Sequence, residues 1–376
     1  MTDWKRKVLF LPQISHMATF HPLEVVDIKR ETVEAVSIKL RIPEELKEEF
    51  TFIPGQYVMF KHQINGEELK RSYSISSSPQ EGELRVGVKE VPDGRFSTFA
   101  NQDLKIGDTL NTLAPRGRFV IHTDASNSKH YVSFCAGSGV TPIISMMKHV
   151  LETEPKSKFT CFYGNRYAST IIYLDEINVL KNRFPDRLEI HYVMSKEEMG
   201  SDFFRGRIDE DKIRKYSEIL FDPQQVDGFY MCGPEQIIHA AKKVLQEKGV
   251  DEEKLHFELF GTPNPTAGFA TQTVSKEQAK SVKSQITVVM DGDEFKFEME
   301  PGSKTVLDAA DEAGLDVPFS CKGGVCCTCL ARIKEGEVDM ELNYSLTDKE
   351  VESGLILTCQ AHPKTATLKV DYDDIW

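Results

Sequence analysis

Four cysteines near the C-terminus have a spacing that could hold a metal cluster. They are Cys321, Cys326, Cys329 and Cys359. The first three follow a C-x4-C-x2-C pattern, and the fourth comes after a gap of 29 residues, which is the spacing of plant-type [2Fe-2S] centres. Gly323 and Gly324 lie inside this stretch and allow the tight curl that three ligands on one short loop require. We therefore predict a [2Fe-2S] cluster bound by these four thiolates.

Two other interpretations of these cysteines fit the spacing less well. A structural zinc site is usually built from two C-x2-C pairs, and a thioredoxin-type C-x2-C pair has no distant fourth ligand. Cys327 stands out of register with its neighbours, so we predict a small buried residue there and not a ligand.

The other cysteines and the N-terminus bear on the compartment. Cys135, Cys161 and Cys232 are left as free thiols, and free thiols beside a thiolate-bound cluster fit a reducing compartment. Residues 5–11 look faintly like a signal peptide, but Pro12 ends the apolar run and no cleavage site follows. We therefore expect a cytoplasmic protein.

Length and composition limit the class of protein. A chain of 376 residues is too long for one ordinary hydrophobic core, so we predict three domains. With 40% hydrophobic and 28% charged residues the chain is typical of soluble globular proteins, and no apolar run reaches the ~18 residues of a membrane span.

The negative charge is concentrated near the C-terminus. The net charge is −13, and residues 281–376 carry 9 Lys and Arg against 19 Asp and Glu, a net charge of −10. Such a surface argues against nucleic acid as a partner. It is either a merely solvated face or a docking surface for a basic protein.

Short alternating segments fill the N-terminal part of the chain. They cover residues 24–29, 35–41, 56–62, 69–75 and 84–91. This pattern is typical of an antiparallel barrel or sandwich. Arg71 and Tyr73 would face the same side of one strand, offering a guanidinium to a pyrophosphate and a ring for stacking. Residues 94–97 begin a short helix whose free N–H groups suit phosphate oxygens, although an R-x-Y-S pattern alone is common in half-buried strands.

From residue 131 strands alternate with helices, which predicts a doubly wound parallel sheet. The strands are expected at 131–135, 159–163, 188–194 and 228–232, and the helices at 143–151, 174–183, 209–219 and 235–248. The turn Gly137-Ser138-Gly139 has the place of a phosphate-binding loop, but the third glycine of the dinucleotide fingerprint is missing and Pro142 stands near the helix start. Cys232-Gly233-Pro234 follows the last strand, at the sheet edge where ligands bind. By type alone, Cys232 is equally a small core residue.

These segments divide the chain into five parts. They are an N-terminal arm (1–21), the barrel (22–125), the α/β domain (126–262), a linker (263–284) and a C-terminal domain (285–376). A strand at 255–260 completes the α/β domain. The C-terminal domain opens with a hairpin, 286–290 and 294–299, and a helix at 305–313 before the cysteine loop.

Together these motifs resemble the ferredoxin-NADP reductase superfamily fused to a plant-type ferredoxin. The resemblance covers residues 22–376 and is carried by four motifs in fixed order: Arg71-x-Tyr73-Ser74, Gly137-x-Gly139-x-Thr141-Pro142, Cys232-Gly233-Pro234 and the four cysteines. More narrowly, the chain is similar to the reductase subunits of ring-1,2-phenylacetyl-CoA epoxidases. The resemblance implies a C-terminal domain of the β-grasp-like α+β class, bound FAD, a [2Fe-2S] cluster and NADPH as substrate.

The resemblance also implies a role for individual residues. Tyr73 would stack on the isoalloxazine, Ser74 would face its N5 edge and Arg71 would pair with the pyrophosphate. Cys232 and Glu258 would flank the nicotinamide. Further flavin contacts are implied for Val88, Lys89, Arg95, Phe96, Ser97 and Phe260, and nucleotide contacts for Gly137, Ser138, Gly139, Thr141, Pro142, Gly233 and Pro234.

A preference for NADPH is expected from cations after two strands of the α/β domain. Arg166 follows the second strand and Ser195-Lys196 follows the third, where they could grip a 2′-phosphate. Glu197 and Glu198 lie close enough to weaken the case, and Lys and Arg are ordinarily exposed in any event.

Electron counting predicts the reaction. A nicotinamide gives two electrons as a hydride, whereas a [2Fe-2S] cluster takes one at a time, and a flavin between them can split the pair. We expect the electrons to pass to a separate protein, an oxygenase in the first place. Another oxygenase, a desaturase or a hybrid-cluster protein remains an alternative acceptor, and a redox sensor or scaffold without turnover is an alternative of a different class.

Overall fold

The protein was analysed as a computed structural model, which describes residues 19–260, 283–290, 292–300, 304–319 and 321–375. The strands among these residues form three sheets and one two-stranded ribbon. The predicted linker lies almost entirely outside the described part of the chain. No helix among the described residues is long and apolar enough to span a lipid bilayer.

The first sheet is the predicted antiparallel barrel. Its strands are β1 (Phe20–Thr32), β2 (Ala35–Arg41), β3 (Tyr57–Ile64), β4 (Glu67–Ser74), β5 (Leu84–Lys89) and β6 (Thr109–Arg116), and its helix is α1 (Arg95–Gln102). They pair in the order β4-β3-β6-β1-β2-β5, and an antiparallel bridge between Ile75 and Val86 joins the two ends of the sheet. Strand β1 begins at Phe20, inside the segment predicted as an arm, because it pairs with β6, for which no strand was predicted.

The second sheet is the predicted parallel one, with the order β11-β10-β7-β8-β9. Its strands are β7 (His130–Ala136), β8 (Lys158–Asn165), β9 (Leu188–Met194), β10 (Gly228–Gly233) and β11 (Leu255–Leu259), and its helices are α2 (Val140–Thr153), α3 (Leu174–Arg183), α4 (Glu210–Ile219) and α5 (Glu235–Glu247). Helix α2 begins three residues before its predicted start, because the 3-10 turn Gly137–Gly139 runs straight into it. Pro142 therefore lies in the first turn, where its missing N–H leaves no bond unmade.

The C-terminal domain is α+β, as predicted. Its strands are β12 (Ser284–Met290), β13 (Asp293–Met299), β14 (Leu330–Glu335), β15 (Val338–Met340), β16 (Leu355–Leu357), β17 (Ala361–Pro363) and β18 (Thr367–Asp371), and its helices are α6 (Val306–Glu312) and α7 (Asp348–Glu352). Five strands form a mixed sheet in the order β13-β12-β18-β14-β16, and β15 pairs with β17. The strands after the cysteine loop had no predicted counterpart, because three- to six-residue strands carry too few alternations to be recognised.

A buried lysine joins the barrel to the α/β domain. Lys148 on α2 is only 4% exposed, and its ammonium lies 3.0 Å from a carboxylate oxygen of Glu81 and 2.5 Å from one of Glu176. It also donates a hydrogen bond of 3.1 Å to the carbonyl of Ser76. Because an unpaired buried charge is costly, these partners hold the two domains in one orientation and set the cleft between them.

The cysteine loop of the C-terminal domain faces the other two domains. Asp316 forms ion pairs with Lys61, at 3.7 Å, and with Lys70 of the barrel, and Arg118 pairs with Glu350 of α7. Val325, which is 4% exposed, packs into the hydrophobic cluster of the parallel sheet. Some acidic residues of the C-terminal domain therefore form ion pairs with cations of the barrel within the same molecule.

Candidate functional site

Three of the residues predicted to lie beside the reacting flavin and nicotinamide, and so to be catalytic, meet at the carboxyl edge of the parallel sheet. Cys232 at the end of β10 stands opposite Glu258 on β11 in parallel register. The Ser74 hydroxyl, at the end of β4, donates a weak hydrogen bond of 3.5 Å to a Glu258 carboxylate oxygen. Burial, and then the nearby Glu258, raise the pKa of the fully buried Cys232 thiol. The Cys232 side chain is therefore a neutral apolar neighbour of this site and not a nucleophile.

Glu258 is a carboxyl group whose environment favours the neutral form. Burial raises its pKa to about 8, against an opposing hydrogen bond from Ser74. Part of the residue still reaches the cavity, so its desolvation is incomplete. At pH 7 the protonated carboxyl can donate as well as accept a hydrogen bond.

We expect Glu258 to make the folding stability depend on pH. Between about pH 4.5 and 8 the folded protein keeps a proton that the unfolded chain releases, so the free energy of unfolding should fall as the pH rises through this window and level off above it. Glu258→Gln should reduce this fall in the free energy of unfolding. The reduction should be on the order of 1–2 kcal/mol after allowance for partial solvent exposure. Urea unfolding at pH 5 and pH 8 measures it.

The matched control for this prediction is Glu68→Gln, because Glu68 lies exposed on β4. The control should unfold like the unmodified protein at both pH values. Equal pH dependence in Glu258→Gln and in the unmodified protein would contradict the prediction.

Tyr73 and Arg71 form the surface that would receive a flavin. The Tyr73 ring is half-buried and rests against Phe60 and Phe96, with ring centroids 5.8 and 5.4 Å away, so one face is supported from behind. Arg71 is exposed two residues away on β4, with one guanidinium nitrogen 2.7 Å from the carbonyl of Lys70. A supported ring beside an exposed guanidinium fits an isoalloxazine with its pyrophosphate.

Two other residues predicted to contact the flavin have their side chains in the core of the barrel. Val88 and Phe96 are each 1% exposed, so their side chains fill the barrel core and can reach a cofactor only through the backbone. Lys89, the neighbour of Val88, lies 3.7 Å from Glu34. Its cation is therefore already paired.

The start of α1 is held by its own side chains. The Ser97 hydroxyl donates a bond of 3.0 Å to the carbonyl of Gly94 and accepts one of 3.3 Å from the Val91 N–H. Arg95 turns back to Glu67, at 2.7 Å. The first-turn N–H groups of α1, rather than these side chains, remain to meet phosphate oxygens.

The two glycine turns of the α/β domain interlock. A Cβ at Gly139 would lie 2.2 Å from the Cys232 carbonyl, and Gly137 has a φ of +55°, so this loop needs glycine at both positions. The Thr141 hydroxyl donates to the Ser138 carbonyl at 2.8 Å and closes the turn. The predicted phosphate loop, with the buried Pro142 behind it, therefore forms one surface with the Cys232-Gly233-Pro234 turn.

Phe260 also belongs to this surface. Its N–H donates a bond of 2.9 Å to the carbonyl of Gly233, and its half-buried side chain packs on the hydrophobic core of the α/β domain. Pro234 begins α5 as its N-cap residue. The backbone of both turns can thus approach a nucleotide closely.

The predicted 2′-phosphate residues lie side by side at the same sheet edge. The Ser195 N–H donates to the Asn165 carbonyl at 2.9 Å, and the Lys196 N–H donates to the Arg166 carbonyl at 3.0 Å. Arg166 and Lys196 are exposed, and across the described residues neither side chain is ion-paired. The arrangement offers two uncommitted cations together.

The acidic neighbours that could have weakened this site are engaged elsewhere. A Glu197 carboxylate oxygen accepts a hydrogen bond of 2.6 Å from the Ala168 N–H. Glu198 pairs with Arg205 at 2.9 Å, so Arg205 is itself occupied.

The four cysteines predicted as ligands come together as two pairs. The Cys326 sulfur, with burial opposing it, lowers the pKa of Cys321 to about 5, helped by backbone N–H groups of the loop. Cys359 is likewise paired with Cys329, which lowers the Cys359 pKa. The Gly323 N–H points at the Cys321 sulfur, 3.3 Å away. This environment favours the thiolate, the form that binds iron, at Cys321 and Cys359, whereas the partner sulfur and burial raise the pKa of Cys326 and of Cys329.

The pairing fits two irons better than one metal ion. A structural zinc site gathers its four ligands around a single ion. In a [2Fe-2S] cluster each iron takes two protein thiolates and two bridging sulfides. The two cysteine pairs meet that requirement.

Cys327 departs from its prediction. It is half-buried rather than buried, has a φ of +51° and lines a cavity. Cys327 belongs to neither of the two cysteine pairs, and its exclusion as a ligand stays a prediction.

The cavity that Cys327 lines is located between the barrel, β11 and the cysteine loop, and its volume is about 540 Å³. Glu258, Cys326 and Cys327 line it, together with Tyr57 and Arg118 of the barrel. Tyr57 was not predicted as a site residue. It follows the turn Pro54-Gly55-Gln56 at the start of β3, and nothing in that pattern indicates that it faces another domain.

Comparison with known proteins identifies all three domains. Residues 22–121 match an oxidoreductase FAD-binding domain, residues 134–243 an oxidoreductase NAD-binding domain and residues 288–364 a 2Fe-2S iron-sulfur cluster binding domain. The chain is 36% identical over 357 residues to one subunit of the 1,2-phenylacetyl-CoA epoxidase of Escherichia coli (strain K12), covering 95% of this chain and 99% of that relative. It is 30% identical to the ferredoxin reductase component of 3-ketosteroid-9-alpha-monooxygenase from Rhodococcus rhodochrous, covering 96% and 99%.

A solved structure shares the fold over nearly the whole length of the chain. Phthalate dioxygenase reductase aligns with a TM-score of 0.55 at 22% identity, covering 94% of this chain and 98% of that chain. The order of the three domains, the two cofactor-binding matches and the [2Fe-2S] match confirm the predicted FAD, nicotinamide nucleotide and cluster. The chain belongs to the family of ferredoxin-NADP reductase-type oxidoreductases that carry a C-terminal plant-type [2Fe-2S] domain.

Proposed function

We propose that this reductase delivers electrons from NADPH to the oxygenase subunits of a phenylacetyl-CoA epoxidase, in the cytoplasm. The observation that carries the choice of acceptor is the 36% identity to a subunit of that enzyme over nearly the full length of both chains. The relatives that serve a 3-ketosteroid and a glycine betaine monooxygenase are 30% identical, and an oxygenase of another kind is the second candidate acceptor.

The residues at the flavin and nicotinamide site have separate roles that follow from their positions. When bound, FAD turns the hydride of a nicotinamide into single electrons that the cluster relays. Tyr73 and Arg71 hold the flavin by stacking and charge, and Ser74 and Glu258 present a hydrogen-bonded pair where nicotinamide and flavin meet. Cys232 keeps water from the same place because it is buried and neutral.

The nucleotide and the cluster have their own binding residues. Residues 137–142 and the Cys232-Gly233-Pro234 turn bind the nucleotide phosphates, and Arg166, Ser195 and Lys196 bind the 2′-phosphate. Cys321, Cys326, Cys329 and Cys359 bind the cluster. The cavity between Glu258 and Cys326 supports this order of cofactors, because it lies between the flavin side and the cluster side.

Reconstitution tests the acceptor. The holoenzyme, NADPH and the purified di-iron oxygenase subunits should convert phenylacetyl-CoA to the ring epoxide, measured by liquid chromatography and mass spectrometry. Reduction of ferricyanide by the same preparation is the control. Normal ferricyanide reduction without epoxide would favour another acceptor, and no ferricyanide reduction would favour a sensor or scaffold.

Salt should weaken turnover with the acceptor if the acidic C-terminal domain docks on it. Charge attraction is screened beyond ~8 Å at physiological ionic strength, so the epoxidation rate should fall by a few-fold between 50 mM and 300 mM NaCl. Cluster reduction without acceptor, followed by stopped flow, separates this effect from loosening of the internal ion pairs of Asp316 and Glu350. A salt-independent rate of epoxidation would contradict electrostatic docking.

A further inference from the structure

A hydrogen bond joins the flavin-binding barrel to the cysteine loop. The Tyr57 hydroxyl donates to the Thr328 hydroxyl oxygen at 3.2 Å, across 271 positions of sequence. Tyr57 is 6% exposed and Thr328 also 6%. Because the two residues belong to different domains, this bond forms only when the C-terminal domain is docked on the barrel.

Tyr57 is held firmly in this position. Its ring lies against Gly117, whose φ of +120° and missing side chain leave room, since a Cβ there would approach the ring to 3.0 Å. Tyr57 also stands opposite Ser74 in the register of β3 and β4. Burial raises the Tyr57 pKa, so the hydroxyl keeps its proton and can donate.

Thr328 in turn belongs to the cysteine loop. It directly precedes the ligand Cys329 and lies two residues after the ligand Cys326. A hydroxyl can accept one hydrogen bond while donating another. The bond from Tyr57 is therefore made to the loop that carries three of the four cluster ligands, and it leaves the Thr328 proton free to donate.

Ion pairs help to hold the C-terminal domain on the barrel. Asp316 faces Lys61 and Lys70, and Glu350 faces Arg118, around the same interface. Cys321 and Val325 of the same loop pack against the α/β domain, so movement of the C-terminal domain away from the other two domains would expose more of this loop to a partner protein. Such a movement breaks the Tyr57 bond.

We propose that Tyr57 is a positioning residue that couples docking of the C-terminal domain to the reduction potential of the cluster, through Thr328 of the cysteine loop. Reduction adds negative charge to the cluster, and hydrogen bonds to its sulfurs stabilise that charge. Because the Tyr57 hydroxyl donates to the Thr328 oxygen, it orients the Thr328 proton toward another acceptor, such as a cluster sulfur, while the domain is docked. The docked cluster then takes an electron more readily, and the undocked cluster gives it up more readily.

The test is a redox titration of the full-length holoenzyme, with the cluster followed by electron paramagnetic resonance. Tyr57→Phe should shift the equilibrium toward the oxidised cluster by about three- to tenfold, and tenfold corresponds to about 59 mV for one electron. Thr328→Val should shift it at least as far, and Thr328→Ser should restore the unmodified value. Tyr216→Phe is the matched control, because its hydroxyl donates a 2.8 Å bond to the Phe203 carbonyl, remote from the cluster.

Two combinations make the test specific. If Tyr57 acts through Thr328, the double variant Tyr57→Phe/Thr328→Val should match Thr328→Val alone. In a protein undocked by Asp316→Lys and Glu350→Lys, Tyr57→Phe should cause no further shift. An unchanged potential in Tyr57→Phe, additive shifts in the double variant, or an equal shift in the undocked protein would each overturn the proposal.

The inference rests on the proposed cluster ligands, and its test separates the two. Iron and acid-labile sulfide are measured first. A preparation of unmodified protein without cluster would contradict the ligand assignment, whereas full cluster content with no effect of Tyr57→Phe would contradict only the role of Tyr57.

Discussion

Cys326→Ser should lose most of the iron and acid-labile sulfide of the purified protein, and with them the visible absorbance of the cluster. Each iron depends on one cysteine pair, so removing one sulfur leaves an iron with a single protein thiolate. The same result is expected for Cys321, Cys329 and Cys359. Reduction of a protein acceptor should disappear, while ferricyanide reduction through the flavin should remain.

Cys327→Ser is the matched control, because it changes an adjacent sulfur of the same loop by the same chemistry. It should keep full iron and sulfide, since Cys327 belongs to neither of the two cysteine pairs. Loss of the cluster in Cys327→Ser with retention in Cys326→Ser would reverse the assignment.

Replacing Arg166 or Lys196 by Ala should lower kcat/KM for NADPH by about ten- to a hundredfold and leave NADH nearly unchanged. A charge-assisted contact to the 2′-phosphate contributes roughly 1.5–3 kcal/mol, and NADH lacks this group. The two exposed cations are adjacent through their backbone bond, so losing both should approach the sum of the single effects unless they share one phosphate oxygen. Steady-state kinetics with both nucleotides measures this.

Arg205→Ala is the control for charge alone, because Arg205 lies nearby but is paired with Glu198. Its ratio of NADPH to NADH efficiency should equal that of the unmodified protein. Equal efficiencies for NADPH and NADH in the unmodified protein would remove the basis for the claim.

Local chemistry explains what could be predicted before the fold was known. The cluster ligands could be recognised because three of them share one loop, so their spacing directly reflects the size of the cluster. The strand, glycine turn and helix at residues 131–151 were recognisable for a similar reason, since a phosphate loop needs a backbone that only glycine allows. Several long elements, including α3 and β9, were predicted to the residue because their periodicity is strong.

Only the tertiary structure determined which side chains meet in the site and which are buried in the core. Ser74, Cys232 and Glu258 come from three strands in two sheets, and only their packing produces the neutral carboxyl of Glu258. The Val88 side chain lies in the core of the barrel, which the alternating pattern of its strand cannot distinguish from a ligand-facing side. The Tyr57 to Thr328 bond spans 271 positions of sequence. Such a contact depends on how domains dock, and that is set by many weak long-range interactions rather than by any local run of residues.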